Sequence, residues 1–335
     1  MLKNIHQELL SIYPWQQSQW KVLFATRQQH RLPHALLLMG PQGLGKLDFA
    51  RELAKVVLCE SMGELACGHC RSCHLFALGN HPDFFFVTVE EKTKSIKVDQ
   101  IRALTTSLSQ TSHQGGYQVA IIYPAEAMNH AAANAFLKTL EEPAGKVLLL
   151  LVSHQIGYLP ATIISRCHKI GFASANHETA LEWLQSRLST KQPLSLLLKL
   201  AHHAPLAVSK LIDAKYISLR DALLKHLWQV ATAEENAIAP VKAMLQQDLS
   251  WLMHAFISIL MDVLRLKLHV DFQYIVNEDH IHLLQQLSNL VDKNKLLSLL
   301  IHLQEAQKLM MNSASVNTQL MLESLLLQWK EGLRC

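Results

Sequence analysis

The chain has 335 residues, half of them apolar and 17% charged, and its 31 basic against 27 acidic side chains give a formal net charge of +4. That length accommodates two or three domains with a sizeable core in each, and the apolar share excludes a disordered chain. So small an excess of positive charge does not announce nucleic-acid binding, which would have to come from local patches. No apolar stretch reaches the roughly 20 residues of a membrane span. Residues 147–152 have strand length, and 251–264 are interrupted by His254, Ser258 and Asp262. The first fifteen residues lack an apolar core followed by a small-residue cleavage site, so no secretory signal is read. A cytoplasmic location without membrane contact is expected.

In chain order, the first predicted element is a strand over 35–39, the run Ala35-Leu36-Leu37-Leu38-Met39. It leads into Gly40-Pro41-Gln42-Gly43-Leu44-Gly45-Lys46-Leu47, which fits the phosphate-binding pattern G-x-x-x-x-G-K-[ST] up to its last position. A helix over 47–58 completes the strand, loop and helix the pattern requires. Gly40, Gly43, Gly45 and Lys46 are the candidate nucleotide-binding residues, because backbone N–H groups at a helix start attract phosphate and the lysine reaches its outer oxygens. Leu47 alters that chemistry, since an aliphatic side chain offers Mg²⁺ no oxygen. ATP binding is left open, and turnover is not expected.

The next segment, 59–73, carries Cys59, Cys67, Cys70 and Cys73, with Cys167 and Cys335 elsewhere. Four thiolates at this spacing in a reducing compartment suit a closed tetrahedral Zn²⁺ site, structural rather than catalytic, with His69 or His74 as substitute ligands. Strands follow over 84–89, 119–122, 147–152 and, more weakly, 169–172, with helices over 98–108 and 130–141. An α/β domain with a largely parallel sheet results. A working NTPase needs an acid at the end of a buried strand next to the loop. After 119–122, however, stand Tyr123 and Pro124, with Glu126 three positions on. Beyond 172 strand signals cease and Leu, His and Gln recur at helical spacing, so the second half is expected to be all helical, with a break near 237–240.

Five signatures together resemble the bacterial clamp-loader subunits of the AAA+ family. They are Arg31-Leu32-Pro33-His34-Ala35, the four-cysteine module, Ile96-Lys97-Val98-Asp99-Gln100-Ile101-Arg102, Asn134 through Lys138 to Glu141-Glu142-Pro143, and Ser165-Arg166-Cys167. The resemblance implies a RecA-like AAA+ domain over 1–172 with its zinc module at 59–73. A small helical lid over 173–214 and an all-helical collar over 215–335 for hetero-oligomeric assembly would follow. It also implies a place in the DNA polymerase III holoenzyme beside gamma/tau motor subunits and a delta subunit, acting through the complex on the sliding clamp and primed DNA. Arg166 would then be an arginine finger supplied in trans to a neighbour's ATP site, in a subunit without ATPase activity of its own. Ser153 matches the family's polar sensor position, with a strand-end cap as its simpler role. Two other readings stand beside this one: an active P-loop ATPase using Lys46 and Glu126, and a zinc-dependent nucleic-acid-binding module.

Overall fold

The computed structural model describes residues 12–90, 95–114, 116–232, 236–312 and 317–333, which leaves residues 1–11 and Cys335 outside. The chain divides into two compact units at Ala180 and Leu181. In the first, β1 (Ala35–Met39), β2 (Phe84–Thr88), β3 (Gln118–Tyr123), β4 (Val147–Ser153) and β5 (His168–Gly171) form one sheet in the order β2-β3-β4-β1-β5. Every pairing in it is parallel. The central strands read as unbroken apolar runs because helices cover both faces and neither side can be polar. β4 is buried along its whole length, whereas the edge strand β5 buries only Ile170.

Alternation along the strands sorts the core into two layers. Ala35, Leu37, Ala120, Ile122, Leu149 and Leu151 pack with Ile101 and Leu104 of α4 (Val98–Leu108) and Ala133, Phe136 and Leu140 of α5 (His130–Glu141). The opposite layer meets α2 (Lys46–Leu58), which lies against β3 and β4. Each fully buried Leu, Ile or Phe contributes about 1.5–3 kcal/mol relative to exposure. α5 starts where the Asn129 side chain accepts from Ala132 N at 2.8 Å, satisfying one of the orphan donors of its first turn. The longest element that escapes the sequence reading in this unit is α1 (Gln17–Gln28), preceded by a 3₁₀ turn over Pro14–Gln16. Only Trp20, Leu23 and Arg27 of α1 are buried, too sparse an apolar stripe to signal a helix. Trp20 packs edge-on against Phe49 of α2, which meets Phe172 just past β5, so α1 is held by aromatic contacts. α3 (Arg71–Ala77) lies in the cysteine segment.

The second unit begins within α7 (His177–Arg187), and its described elements are helices, apart from one isolated bridge between Val291 and Leu333: α8 (Leu194–Leu200), α9 (Pro205–Asp213), α10 (Tyr216–Ala231), α11 (Val241–Met244) and α12 (Leu249–Lys267). Then come α13 (Ile281–Leu290), α14 (Lys293–Asn312) and α15 (Thr318–Glu331). Among the described residues α12 is the one helix long and apolar enough to cross a membrane by length and composition. It instead packs against α10, α13 and α14, and it buries an acid, Asp262. That carboxylate accepts from Val276 N at 3.0 Å, Asn277 N at 2.7 Å, Asn277 Nδ2 at 2.7 Å and Arg265 Nη1 at 2.7 Å. Arg220, also fully buried, binds Asp221 and Asp279. These paired charges fix how α10 and α12 meet the segment before α13, each buried ion being held by more than one partner.

Near this knot, His254 of α12 accepts or donates at 2.9 Å to the Tyr216 hydroxyl and stacks edge-on with His202, Tyr216 and Trp251. Burial, and then the neighbouring His202, lowers the pKa of His254 to about 4. His202 is lowered too, by burial and by Arg265, against Asp262. An unfolded chain would protonate both near pH 6.5 while the folded one resists, so their stabilising effect is whole above pH 6.5 and lost as pH falls towards 4. Chemical denaturation at pH 5 should therefore give a lower unfolding free energy than at pH 7.5, and His254→Gln, which cannot titrate, should shrink that difference; an equal difference in the variant would contradict it.

Candidate functional site

The phosphate loop joins the carboxyl end of β1 to α2, the edge of an open parallel sheet where ligands bind. Here the loop is closed by its own chain. Lys46 is buried, and its Nζ donates to Gly40 O at 2.5 Å and Pro41 O at 2.6 Å and lies 2.9 Å from His154 Nδ1, just past β4. Burial outweighs the attraction of nearby Glu126 and brings the Lys46 pKa down to about 8. The side chain that would meet outer phosphates is thus spent on loop carbonyls and one imidazole.

Above the loop lies the segment Tyr13–Gln16. Gln16 Nε2 donates to Leu44 O at 2.7 Å, Trp15 Nε1 to the same carbonyl at 3.0 Å, and the Tyr13 hydroxyl to Asp48 Oδ2 at 3.2 Å. Gly45 has φ +77°, and a Cβ there would come within 2.4 Å of the Tyr13 ring and 2.9 Å of Gln16 Nε2. Asp48, in the first turn of α2, places a carboxylate at the helix end that would otherwise attract phosphate.

Glu126 is brought to the same edge. Its Oε1 accepts from His154 N at 2.9 Å, and its Oε2 is buried without a hydrogen-bond partner. Tyr123, where a metal-binding acid would stand, has its hydroxyl 3.2 Å from His154 Nε2. Its pKa is raised by burial and then by the charges of Glu126 and Asp48. A polyphosphate entering here would face two carboxylates and a lysine already engaged. Ser153 ends β4 fully buried, and its Oγ has no partner, so it does not cap the strand as expected: the backbone there is already paired with β1. Tyr13, Trp15, Gln16, Asp48 and His154 were not legible as site residues. The aromatic cluster Tyr13-Pro14-Trp15 was the signal available.

Cys59, Cys67, Cys70 and Cys73 converge as the spacing predicts, and among the described residues they form the one all-cysteine cluster able to hold a metal ion. Their sulfurs lie 3.6 Å apart between Cys59 and Cys67, 3.9 Å between Cys59 and Cys70, and 4.0 Å between Cys67 and Cys73. A tetrahedral cation with bonds of about 2.3 Å would separate its ligands by about 3.8 Å. Backbone N–H groups of Ser61 and Cys67 point at Cys59 Sγ, and that of Cys73 at Cys70 Sγ, each at 3.4 Å. Burial raises Cys73 to about 12, whereas hydrogen bonds from Glu60, Cys73 and Cys67 outweigh burial and lower Cys70 to about 6. All four can be thiolates together only around a cation. His69 Nδ1 instead contacts Cys67 O at 2.8 Å and no second ligand type is needed. A second cluster, Asp221, Asp279 and His280, already holds the Arg220 guanidinium. Cys167, raised to about 11 by burial, is an inert core thiol.

Arg166 follows the single turn of α6 (Ala161–Ile164) and precedes β5. It is partly exposed, its Nε and Nη2 both address Glu141 Oε1, the former at 2.5 Å, and its Nη1 donates to Thr162 O at 3.0 Å. The finger candidate is therefore well apart from the closed loop in its bonding, and turned outward on the surface. If closure of the loop depends on the missing Cβ, Gly45→Ala should destabilise the chain by about 2–4 kcal/mol through left-handed backbone strain and overpacking. Adding Tyr13→Ala should recover much of that loss in thermal unfolding; no recovery would show that Tyr13 does not press on the loop.

A family model described as DNA polymerase III, delta subunit matches residues 15–176, and one described as DNA polymerase III, delta subunit, C terminal matches residues 214–331. The chain is similar to the DNA polymerase III subunit delta′ of Pseudomonas aeruginosa, 36% identical over 324 residues, which covers 96% of this chain and 98% of that one. It is 33% identical over 328 residues to the subunit delta′ of Yersinia pestis, covering 96% of each. A solved structure of a DNA polymerase III gamma subunit-related protein from Thermotoga maritima covers 94% of this chain and 99% of its own at 18% identity, with a TM-score of 0.40. Similarity at this level along nearly the whole of both chains, with family models on both halves, establishes that the chain belongs to the DNA polymerase III delta′ subunit family.

Proposed function

We propose that this chain is the non-hydrolysing member of a bacterial clamp loader and serves a neighbouring motor subunit by lending it Arg166. The observation that carries this reading is the contrast between two cations. Lys46 is buried and bound to its own loop, whereas Arg166 stands at the surface within a Ser-Arg-Cys motif. Leu47 supplies no hydroxyl and Tyr123 no carboxylate, so Mg²⁺ lacks both ligands that phosphoryl transfer requires. An arginine finger needs neither. It needs a mobile guanidinium that can reach charge developing on a phosphoryl group bound by another chain, and loss of such a finger costs about 10³–10⁵ in rate.

In this reading residues 1–172 form the RecA-like domain, 173–214 a lid and 215–335 a collar, and the chain works in the cytoplasm with gamma/tau motors and a delta subunit. The complex acts on the sliding clamp and primed DNA. Ile301 and Leu309 on α14 and Leu320 and Leu327 on α15 are exposed apolar side chains that suit an assembly face. The four cysteines hold one structural Zn²⁺, which closes the segment between α2 and β2. One observation favours the active-ATPase reading: Glu126 does reach the loop, with one oxygen unpartnered.

In a reconstituted complex, Arg166→Ala should lower DNA-stimulated ATPase and clamp loading by at least tenfold while assembly persists, and the isolated chain should show no Mg²⁺-dependent hydrolysis. Unchanged rates with Arg166→Ala, or hydrolysis by the isolated chain that Lys46→Ala abolishes, would favour the alternative. Metal analysis of the purified chain should find one zinc per molecule, with Cys70→Ser reducing both zinc content and melting temperature; a full-length chain that is stable and free of zinc would exclude the structural ion.

A further inference from the structure

Glu141 occupies a place where a carboxylate is electrostatically disfavoured. It is the last residue of α5, next to Glu142, at the helix end where the backbone carbonyls concentrate partial negative charge. What offsets this is Arg166, twenty-five positions along the chain. Two of its N–H groups converge on Glu141 Oε1, and a third is taken by Thr162 O. Both side chains remain reachable, Arg166 at 35% and Glu141 at 46% of full exposure. The Nε and Nη2 groups engaged here are the edge of a guanidinium that best matches a carboxylate or phosphate in two-point fashion. One guanidinium edge cannot serve both anions at once.

We propose that Glu141 is a positioning residue that latches Arg166 against its own subunit, so that the arginine is surrendered only to a more highly charged anion, the polyphosphate presented by a neighbouring chain. The proposal rests on the arginine-finger reading above and adds to it a competition. An exposed ion pair is weak enough to be exchanged. A nucleotide with its Mg²⁺, held at the right distance, outcompetes a single carboxylate, whereas a loosely assembled interface does not. Glu141 therefore keeps the finger from engaging until the interface has closed. Once Arg166 leaves, Glu141 is left at the helix end without its partner, and it recaptures the arginine after the phosphate departs.

The test uses the reconstituted complex with its motor and delta subunits, comparing ATPase with and without primed DNA. Glu141→Gln removes the charge and keeps the shape, and it should raise the DNA-independent rate about two- to fivefold. The DNA-stimulated kcat should stay within twofold, with a lower KM for ATP. Glu141→Asp should restore the normal ratio of basal to stimulated rates. In an Arg166→Ala background, Glu141→Gln should have no further effect, because the latch would have nothing to hold. A basal rate that is unchanged or reduced by Glu141→Gln alone, with Arg166→Ala still impaired, would overturn the latch and leave the finger standing. Normal rates with Arg166→Ala would overturn both.

Discussion

A buried ammonium needs partners for its charge and its three N–H groups, and the carboxyl edge of the sheet is organised around those of Lys46. Two loop carbonyls, from Gly40 and Pro41, and the His154 ring form its shell. Each has consequences. Holding the carbonyls inward sets the curl of the loop, and holding His154 sets the residue after β4 beside Tyr123 and Glu126. Tyr13, Trp15 and Gln16 then close over a loop whose conformation is already fixed. Burial lowers the lysine's affinity for its proton and outweighs the opposing charge of Glu126, which leaves the pKa at about 8.

The two cations of the candidate site differ in what their surroundings ask of them. Lys46 is buried, and exchanging its partners for a ligand would require breaking several contacts together. Arg166 sits at the surface, where its bond to Glu141 is screened by water and worth little by itself. Stability and availability are thus separated across the sheet, with the first at its carboxyl edge in the loop after β1 and the second at its amino edge in the turn before β5, which runs parallel to β1. The four-cysteine segment obeys a third rule, since it gathers four thiols that could hold a metal ion rather than an apolar core.

Much of this was legible in the sequence, for identifiable reasons. Unbroken apolar runs such as 147–152 announce central parallel strands because both faces are covered, and β4 follows them to within a residue. Spacing announced the cysteine cluster, since the residues that meet are close in the chain. The strap over the loop was not legible. Tyr13 and Asp48 are 35 residues apart, and Trp15 and Leu44 are 29, so nothing local marks them as neighbours. α1 was hidden for a related reason, its few buried side chains being held by aromatic contacts to α2. In the helical unit the apolar periodicity was plain, but the knot of Asp262, Arg220 and Asn277 joins residues up to 57 positions apart, and polar residues in such a pattern read as solvent-facing until the fold is known.

The glycines and the lysine of the phosphate-loop sequence hold this part of the fold together besides any contact with phosphate. Gly40 has φ +147°, and a Cβ there would lie 2.2 Å from Phe172 O, the carbonyl of the residue that closes β5 onto β1 through its N–H bond to Met39 O at 2.8 Å. Any side chain at that position would push the edge strand away. Gly45 is held by the same logic from the other side, through Tyr13 and Gln16. Lys46 supplies the charge that gathers the loop carbonyls, which would otherwise be buried acceptors without donors. Glycine and lysine therefore answer to the folding of this edge, whereas Leu47, which follows them, offers none of the hydroxyl oxygen a magnesium site uses.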